Sequence, residues 1–200
     1  IRDRLGALKD LPLTFVSGGA LGIDGELHYR ALMNGCPTEA WVVGPCAHPN
    51  PRSHHELFEE MGRRDHCAVV VPQELEPLNR QPHPSDWLKR NQWLSMGLDA
   101  LIVVEAGIYS GTWATVKFSQ NLGIPIFALP GTIFSPESKG TNLMISTGYA
   151  HPVEGVGFLY QELVALISSN LYNGSSWGAD RIVPRAQVAP GNASGGILSS

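Results

Sequence analysis

Two glycine- and hydroxyl-rich stretches hold the residues of this chain best suited to chemistry. The first is Ser17-Gly18-Gly19-Ala20-Leu21-Gly22-Ile23-Asp24, and the second is Glu105-Ala106-Gly107-Ile108-Tyr109-Ser110-Gly111-Thr112. Each follows a short apolar run and opens a helical pattern. A helix that starts this way offers unpaired backbone N–H groups and the positive end of its dipole, which suits a phosphate. Glycine lets a ligand come close to the backbone. The expected phosphate contacts are Ser17, Gly18, Gly19 and Gly22 in the first loop, and Ser110, Gly111, Thr112 and Thr115 in the second. Lys89 and Arg90, and Lys139 beside Gly140, would add charge. The spacing is not the dinucleotide GxGxxG, so no nicotinamide or flavin is expected. Contacts of this kind hold a phosphate backbone without reading its sequence.

Each of these features has a plainer reading. The glycines also serve tight turns and close helix–sheet packing, and Lys89 and Arg90 also suit a solvated helix face. Asp24 and Glu105 place carboxylates inside a proposed anion site. They either accept hydrogen bonds from ribose or base edges, or hold their loops by accepting backbone N–H groups. His28 lies one turn past Asp24 on the same face and reads as a helix-packing histidine. Cys46, His48, His54 and His55 invite a zinc reading, but their spacing fits no standard finger and no metal is expected. Trp87, Trp93 and Trp113 suit base stacking or, at helical spacing beside aliphatic residues, a core.

The elements that must position these residues follow from hydropathy. Buried strands are expected over residues 13–16, 39–43, 68–71, 100–104 and 126–129, short and largely apolar runs, the one at 100–104 rich in β-branched residues. Helices are expected over residues 23–32, 54–64, 112–122 and 156–167, with a further one around Trp87 to Met96 and a short one at Leu143 to Ile145. Residues 1–9 read as the last turns of a helix. Asn34-Gly35 closes the first full helix, Ser53 caps the next, and Ser85 or Asp86 caps the one after. Residues 72–85 carry four prolines and form a long loop. The alternation predicts an α/β, Rossmann-like, doubly wound, mostly parallel sheet with helices on both faces. Ligands of such sheets bind at the carboxyl ends of the strands, where both loops would lie. Residues 1–168 are expected to form this domain, and 169–200 a Gly/Ser/Pro-rich tail of linker-like composition.

Composition bounds the rest. The chain has 200 residues, 43% hydrophobic and 16% charged, which is globular rather than disordered. Fourteen basic and eighteen acidic residues give a net charge of −4, so a global nucleic-acid footprint is absent and only a local basic patch remains open. Three cysteines without a CxxC pair argue against a disulfide framework and for a reducing cytoplasm. No apolar run approaches the ~20 residues that span a membrane, and no signal-peptide pattern opens the chain. The sequons at Asn173 and Asn192 then carry no meaning.

The polar stretches, taken in order, resemble the bacterial DNA-processing protein A family (DprA, also called Smf). Residues 17–24 with His28 resemble its SGxAxGIDxxAH motif. Lys89-Arg90-Asn91 resembles its arginine–asparagine motif. Glu105-Ala106, Ser110-Gly111-Thr112 and Thr115 resemble EAxxxSGxxxT. Pro130-Gly131, then Ser138, Gly140, Asn142, Leu143, Ile145 and Gly148, resemble its PG and SxGxNxLIxxG elements. The resemblance covers about residues 14–153. It adds Asn91 and Asn142 to the expected DNA contacts, and gives Asp24, His28, Glu105, Pro130 and Gly131 loop-organising roles. It implies a domain that binds single-stranded DNA, forms a homodimer and delivers the strand to a RecA-type recombinase during transformation or recombination, without catalysis or a cofactor. It also places the family's first strand and its glycine–serine–arginine loop upstream of Ile1, and leaves no room for a carboxyl-terminal winged-helix domain. The chain departs from the family at Gln92, where a second arginine is usual, and at Trp87-Leu88, where an aromatic–proline pair is usual. Two rivals share the fold. One is a nucleotide phosphoribohydrolase of the lysine-decarboxylase-like type, which looks for PGGxGTxxE. Thr115 stands where that glutamate would be. The other is a sensor module for a small nucleotide, which the net acidity suits.

Overall fold

A computed structural model describes residues 5–45, 48–75, 82–172 and 186–188. Among these residues seven strands form, in chain order: β1 (Phe15–Ser17), β2 (Thr38–Trp41), β3 (Cys67–Pro72), β4 (Leu101–Val103), β5 (Ile126–Ala128), β6 (His151–Pro152) and β7 (Ala186–Val188). The helices are α1 (Ile23–Met33), α2 (His55–Gly62), α3 (Pro84–Met96), α4 (Thr112–Asn121), α5 (Lys139–Ser146) and α6 (Val156–Tyr172). Short 3-10 turns over Leu5–Ala7, Arg52–His54, Gln73–Leu75 and Pro136–Ser138 fill the connections. Among the described residues, no helix is long and apolar enough to cross a membrane.

The chain divides into two compact units. One comprises Thr14–Pro82 and Arg185–Ser200, the other Ile1–Leu13 and His83–Pro184. The first holds a four-stranded sheet in the order β1-β2-β3-β7. Its first three strands are parallel, with Phe15 opposite Thr38 and Thr38 opposite Cys67. β7 joins β3 antiparallel, with Val188 opposite Val70. β7 falls inside the segment expected as a tail. Apart from it and the last turns of α6, that segment lies outside the described residues. The second unit holds a parallel sheet in the order β4-β5-β6. Parallel strands joined through helices give the expected α/β class. The first glycine loop leaves β1 of the four-stranded sheet and the second leaves β4 of the three-stranded sheet.

Each unit closes over its own core. In the four-stranded unit, Ala40, Val42, Val43, Phe58, Met61, Val69, Val71 and Leu75 pack together. In the three-stranded unit, Val103, Ala106, Val116, Ile126, Ala128, Met144 and Ala150 do so, with Trp113 and Tyr149 edge to face at 6.0 Å. Full burial of each large side chain stabilises by about 1.5–3 kcal/mol. The cap of α3 differs from expectation. His83, not Ser85 or Asp86, stands at the N-cap, and its ring accepts the Ser85 N–H while Asp86 accepts the His83 N–H at 2.7 Å. Pro84 follows at the first helical position, where its missing N–H has no partner to lose.

Candidate functional site

In the four-stranded unit the Ser17 loop rests on a chain of side chains reaching from β1 to β2. Ser17 Oγ lies 2.7 Å from Nε2 of His28 on α1. The other ring nitrogen, Nδ1, lies 2.8 Å from Thr38 Oγ1, and Thr38 donates to the Phe15 carbonyl at 2.8 Å. A hydroxyl has one proton to give. With that proton on Phe15 O, Thr38 must accept from Nδ1–H, so Nε2 is bare and Ser17 donates to it. His28 is fully buried. Burial, reinforced by His54, pushes its pKa down to about 4, so the ring stays in the neutral form this chain requires. Ser17 therefore keeps only lone pairs, and one accepts the Gly19 N–H at 3.3 Å. In this structure the Ser17 proton is committed to His28. A serine beside a histidine also suggests a nucleophile with its base. A ring with a pKa near 4 is a poor base at neutral pH, and Thr38 offers no carboxylate to support an imidazolium. The arrangement shapes the loop.

The loop itself turns through Gly19 (φ 65°) and Gly22 (φ 88°), where a side chain would be strained. Asp24 reaches back to accept the Ala20 N–H at 3.1 Å. The Gly19 carbonyl accepts from His54 Nδ1 at 3.0 Å, which ties the loop to the start of α2. Gly22 is the N-cap of α1 and no side chain caps it. Within the first turn of α1 the Gly25 N–H already bonds the Ala20 carbonyl at 3.2 Å, so any anion would meet the N–H groups before it.

In the three-stranded unit, Ser110 organises the start of α4. Its Oγ accepts the Thr112 N–H at 3.2 Å and donates to Thr112 Oγ1 at 2.9 Å. Trp113 N–H bonds Ser110 O, and Ala114 N–H bonds Gly111 O. Most of the expected cradle is thus satisfied internally. Gly111, exposed and with open space where a Cβ would stand, is the position that a ligand can approach. The neighbouring loop, between β5 and α5, is zipped to this one. Ala106 N–H donates to Glu137 O at 2.8 Å, and Gly140 N–H donates to Ala106 O at 2.7 Å. A Cβ on Gly140 would run into the carbonyls of Ala106 and Gly107, so close packing requires a glycine there. Asn142 clamps Gly131 at two points: Oδ1 accepts its N–H at 3.1 Å and Nδ2 donates to its carbonyl at 3.0 Å. That holds the loop in shape and uses both ends of the amide.

Comparison with known proteins decides the class. The model of the DNA recombination-mediator protein A family matches residues 2–164. The chain belongs to that family. It is 32% identical over 136 residues to the DNA processing protein DprA of Streptococcus pneumoniae, covering 68% of this chain and 46% of that protein. It is also 32% identical over 136 residues to Protein Smf of Escherichia coli K12, covering 68% of this chain and 35% of that protein. The chain spans between a third and a half of the length of the curated relatives it matches. The X-ray structure of S. pneumoniae DprA superimposes with a TM-score of 0.71 at 28% identity, over 80% of this chain and 54% of that one. DNA processing protein A from Helicobacter pylori gives 0.69 at 23% identity, over 81% and 71%.

The remaining residues of this DprA-family chain fall into two sets. Lys89 and Lys139 are exposed, and Asn91 and Thr115 are half-buried on α3 and α4. Arg90 is 7% exposed, packed rather than presented to solvent, which separates it from Lys89 as a phosphate contact. Glu105 is exposed and Pro130 stands beside the clamped Gly131. The structure brings together Ser110, Gly111, Thr112, Gly131, Lys139, Gly140 and Asn142 in one unit, and Ser17 to Gly22, Asp24 and His28 in the other. Among the described residues, no group of three metal-ligating side chains forms. Cys46 lies outside them. His54 and Thr38 organise the first loop and were not readable in advance. Their partners lie 35 and 10 residues away in sequence, and no local pattern marks such a pairing.

Proposed function

We propose that this chain is the single-stranded-DNA-binding domain of a recombination mediator, using the Gly18–Gly22 loop and the Gly111 and Lys139 edge as phosphate contacts. The family match over residues 2–164 carries the reading. Two observations support it. Each unit ends a parallel strand in a loop that opens a helix, a geometry suited to phosphate. In addition, the Helicobacter pylori DNA processing protein A, which shares the fold, binds single-stranded DNA. The strand is held by its backbone and by unpaired bases, and it is handed to a RecA-type recombinase. The domain works as a homodimer in the cytoplasm and performs no chemistry on the DNA. Thr115 stands where the hydrolase glutamate would be, which argues against glycosidic cleavage.

The test is fluorescence anisotropy of a labelled strand of about 20 nucleotides, titrated at low and moderate salt with duplex and mononucleotide competitors. Salt-sensitive binding that neither competitor displaces is the expected result. Displacement by one mononucleotide would favour a nucleotide sensor, and release of free base from a nucleoside monophosphate would favour the hydrolase.

A further inference from the structure

The two zipped loops of the three-stranded unit leave large apolar side chains in water. Tyr109 is 100% exposed, Phe134 87%, Ile133 73% and Ile108 47%. Both pairs, residues 108–109 and 133–134, occupy the turn at the tip of their loop. The bonds between Ala106, Glu137 and Gly140 hold those loops side by side. Single exposed apolar residues are ordinary, but several on adjoining loops mark a docking surface.

The surroundings specify the occupant. Gly111, open to close approach, follows Tyr109 by two residues, and exposed Lys139 begins α5 five residues after Phe134. Exposed Glu105 and Glu137 offset the lysine, so charge attraction at this edge is weak. A ligand with flat apolar faces strung on anionic links satisfies both the aromatic tips and the N–H and lysine donors beside them. Unpaired nucleic-acid bases have that form, whereas a duplex hides its base faces. We infer that Tyr109 and Phe134 are a stacking platform for unpaired bases, whose flanking phosphates approach Gly111 and Lys139. The inference rests on the single-stranded DNA reading above and names how that strand is gripped.

The experiment compares two labelled strands of about 20 nucleotides on the full chain: oligothymidine, and an abasic strand with the same phosphates. The wild-type chain should bind oligothymidine more tightly. Tyr109→Ala and Phe134→Ala should each weaken that binding by roughly five-fold or more, leave abasic binding unchanged, and leave Tm unchanged because both side chains are exposed. Tyr109→Phe should retain the wild-type affinity. Equal wild-type affinity for both strands, with the two alanine variants unaltered, would overturn stacking while the phosphate reading stands. Absence of any wild-type binding would overturn both. A shift in oligomeric mass for the alanine variants at unchanged DNA affinity would mark the patch as a contact between copies and overturn the inference.

Discussion

Gly25 makes room for the ring of His54. A Cβ at Gly25 would stand 2.5 Å from His54 Cε1 and 2.7 Å from Nε2, while Nδ1 of the same ring bonds the Gly19 carbonyl. The absence of one methyl group on α1 therefore lets α2 hold the glycine loop.

Gly25→Ala should displace the ring and break its bond to Gly19, lowering stability by about 1–3 kcal/mol. Paired with His54→Ala the clash disappears, so the double variant should be more stable than the sum of the single losses predicts. Urea denaturation of the four chains measures the coupling, and strict additivity would count against the contact.

The second prediction concerns pH. His28 is lowered to about 4 from an ordinary 6.5. Between those values the unfolded chain binds a proton that the folded chain refuses, so folding weakens as pH falls. Stability is fully present above about pH 6.5 and declines toward pH 4, by about 3 kcal/mol in total from this group. Denaturation midpoints followed across that range should show the slope. His28→Gln should lower stability at neutral pH and flatten the slope, and an unchanged slope would mean another group carries it.

Two glycines in one unit should behave in opposite ways. Gly140→Ala drives a methyl group into two backbone carbonyls, which cannot swing aside, and should cost about 3 kcal/mol or more. Gly111 has φ −58° and open space around the missing Cβ, so Gly111→Ala should leave Tm within a degree or two. If a phosphate approaches at Gly111, the same change should weaken strand binding. Thermal melts and anisotropy on both variants separate the roles.

Neighbouring cations on α3 should also part company. Lys89→Ala removes an exposed charge and should reduce both affinity and salt slope without altering Tm. Arg90→Ala empties a buried position and should cost about 2–4 kcal/mol of stability. The reverse pattern, with Arg90 governing the salt slope at constant Tm, would show that the side chain is presented to DNA after all.

Much of the architecture was legible because short apolar runs and helical spacing are local signals. The runs at residues 68–71, 100–104 and 126–129 became β3, β4 and β5 within a residue or two. β6 was not legible, since two residues, His151 and Pro152, carry no periodicity. The joining of β7 to β3 was hidden in a segment whose composition reads as linker. At the site, the motifs located the loops but not the duty of each residue. Gly111 and Gly140 look alike in sequence. One borders open space and the other two carbonyls, and only the fold distinguishes them. Asn142 likewise reads as a ligand group until Gly131 is found occupying both of its functional atoms.

The zip between Ala106, Glu137 and Gly140, with the Asn142 clamp behind it, has a thermodynamic consequence. Both loops are fixed by the chain's own backbone before anything binds, so a ligand arriving there finds its site already ordered. Little conformational entropy is lost at that moment, and no loop closure has to precede contact. Association at this edge should therefore run at the rate of diffusion and orientation, leaving differences in affinity to be expressed in how slowly the ligand leaves.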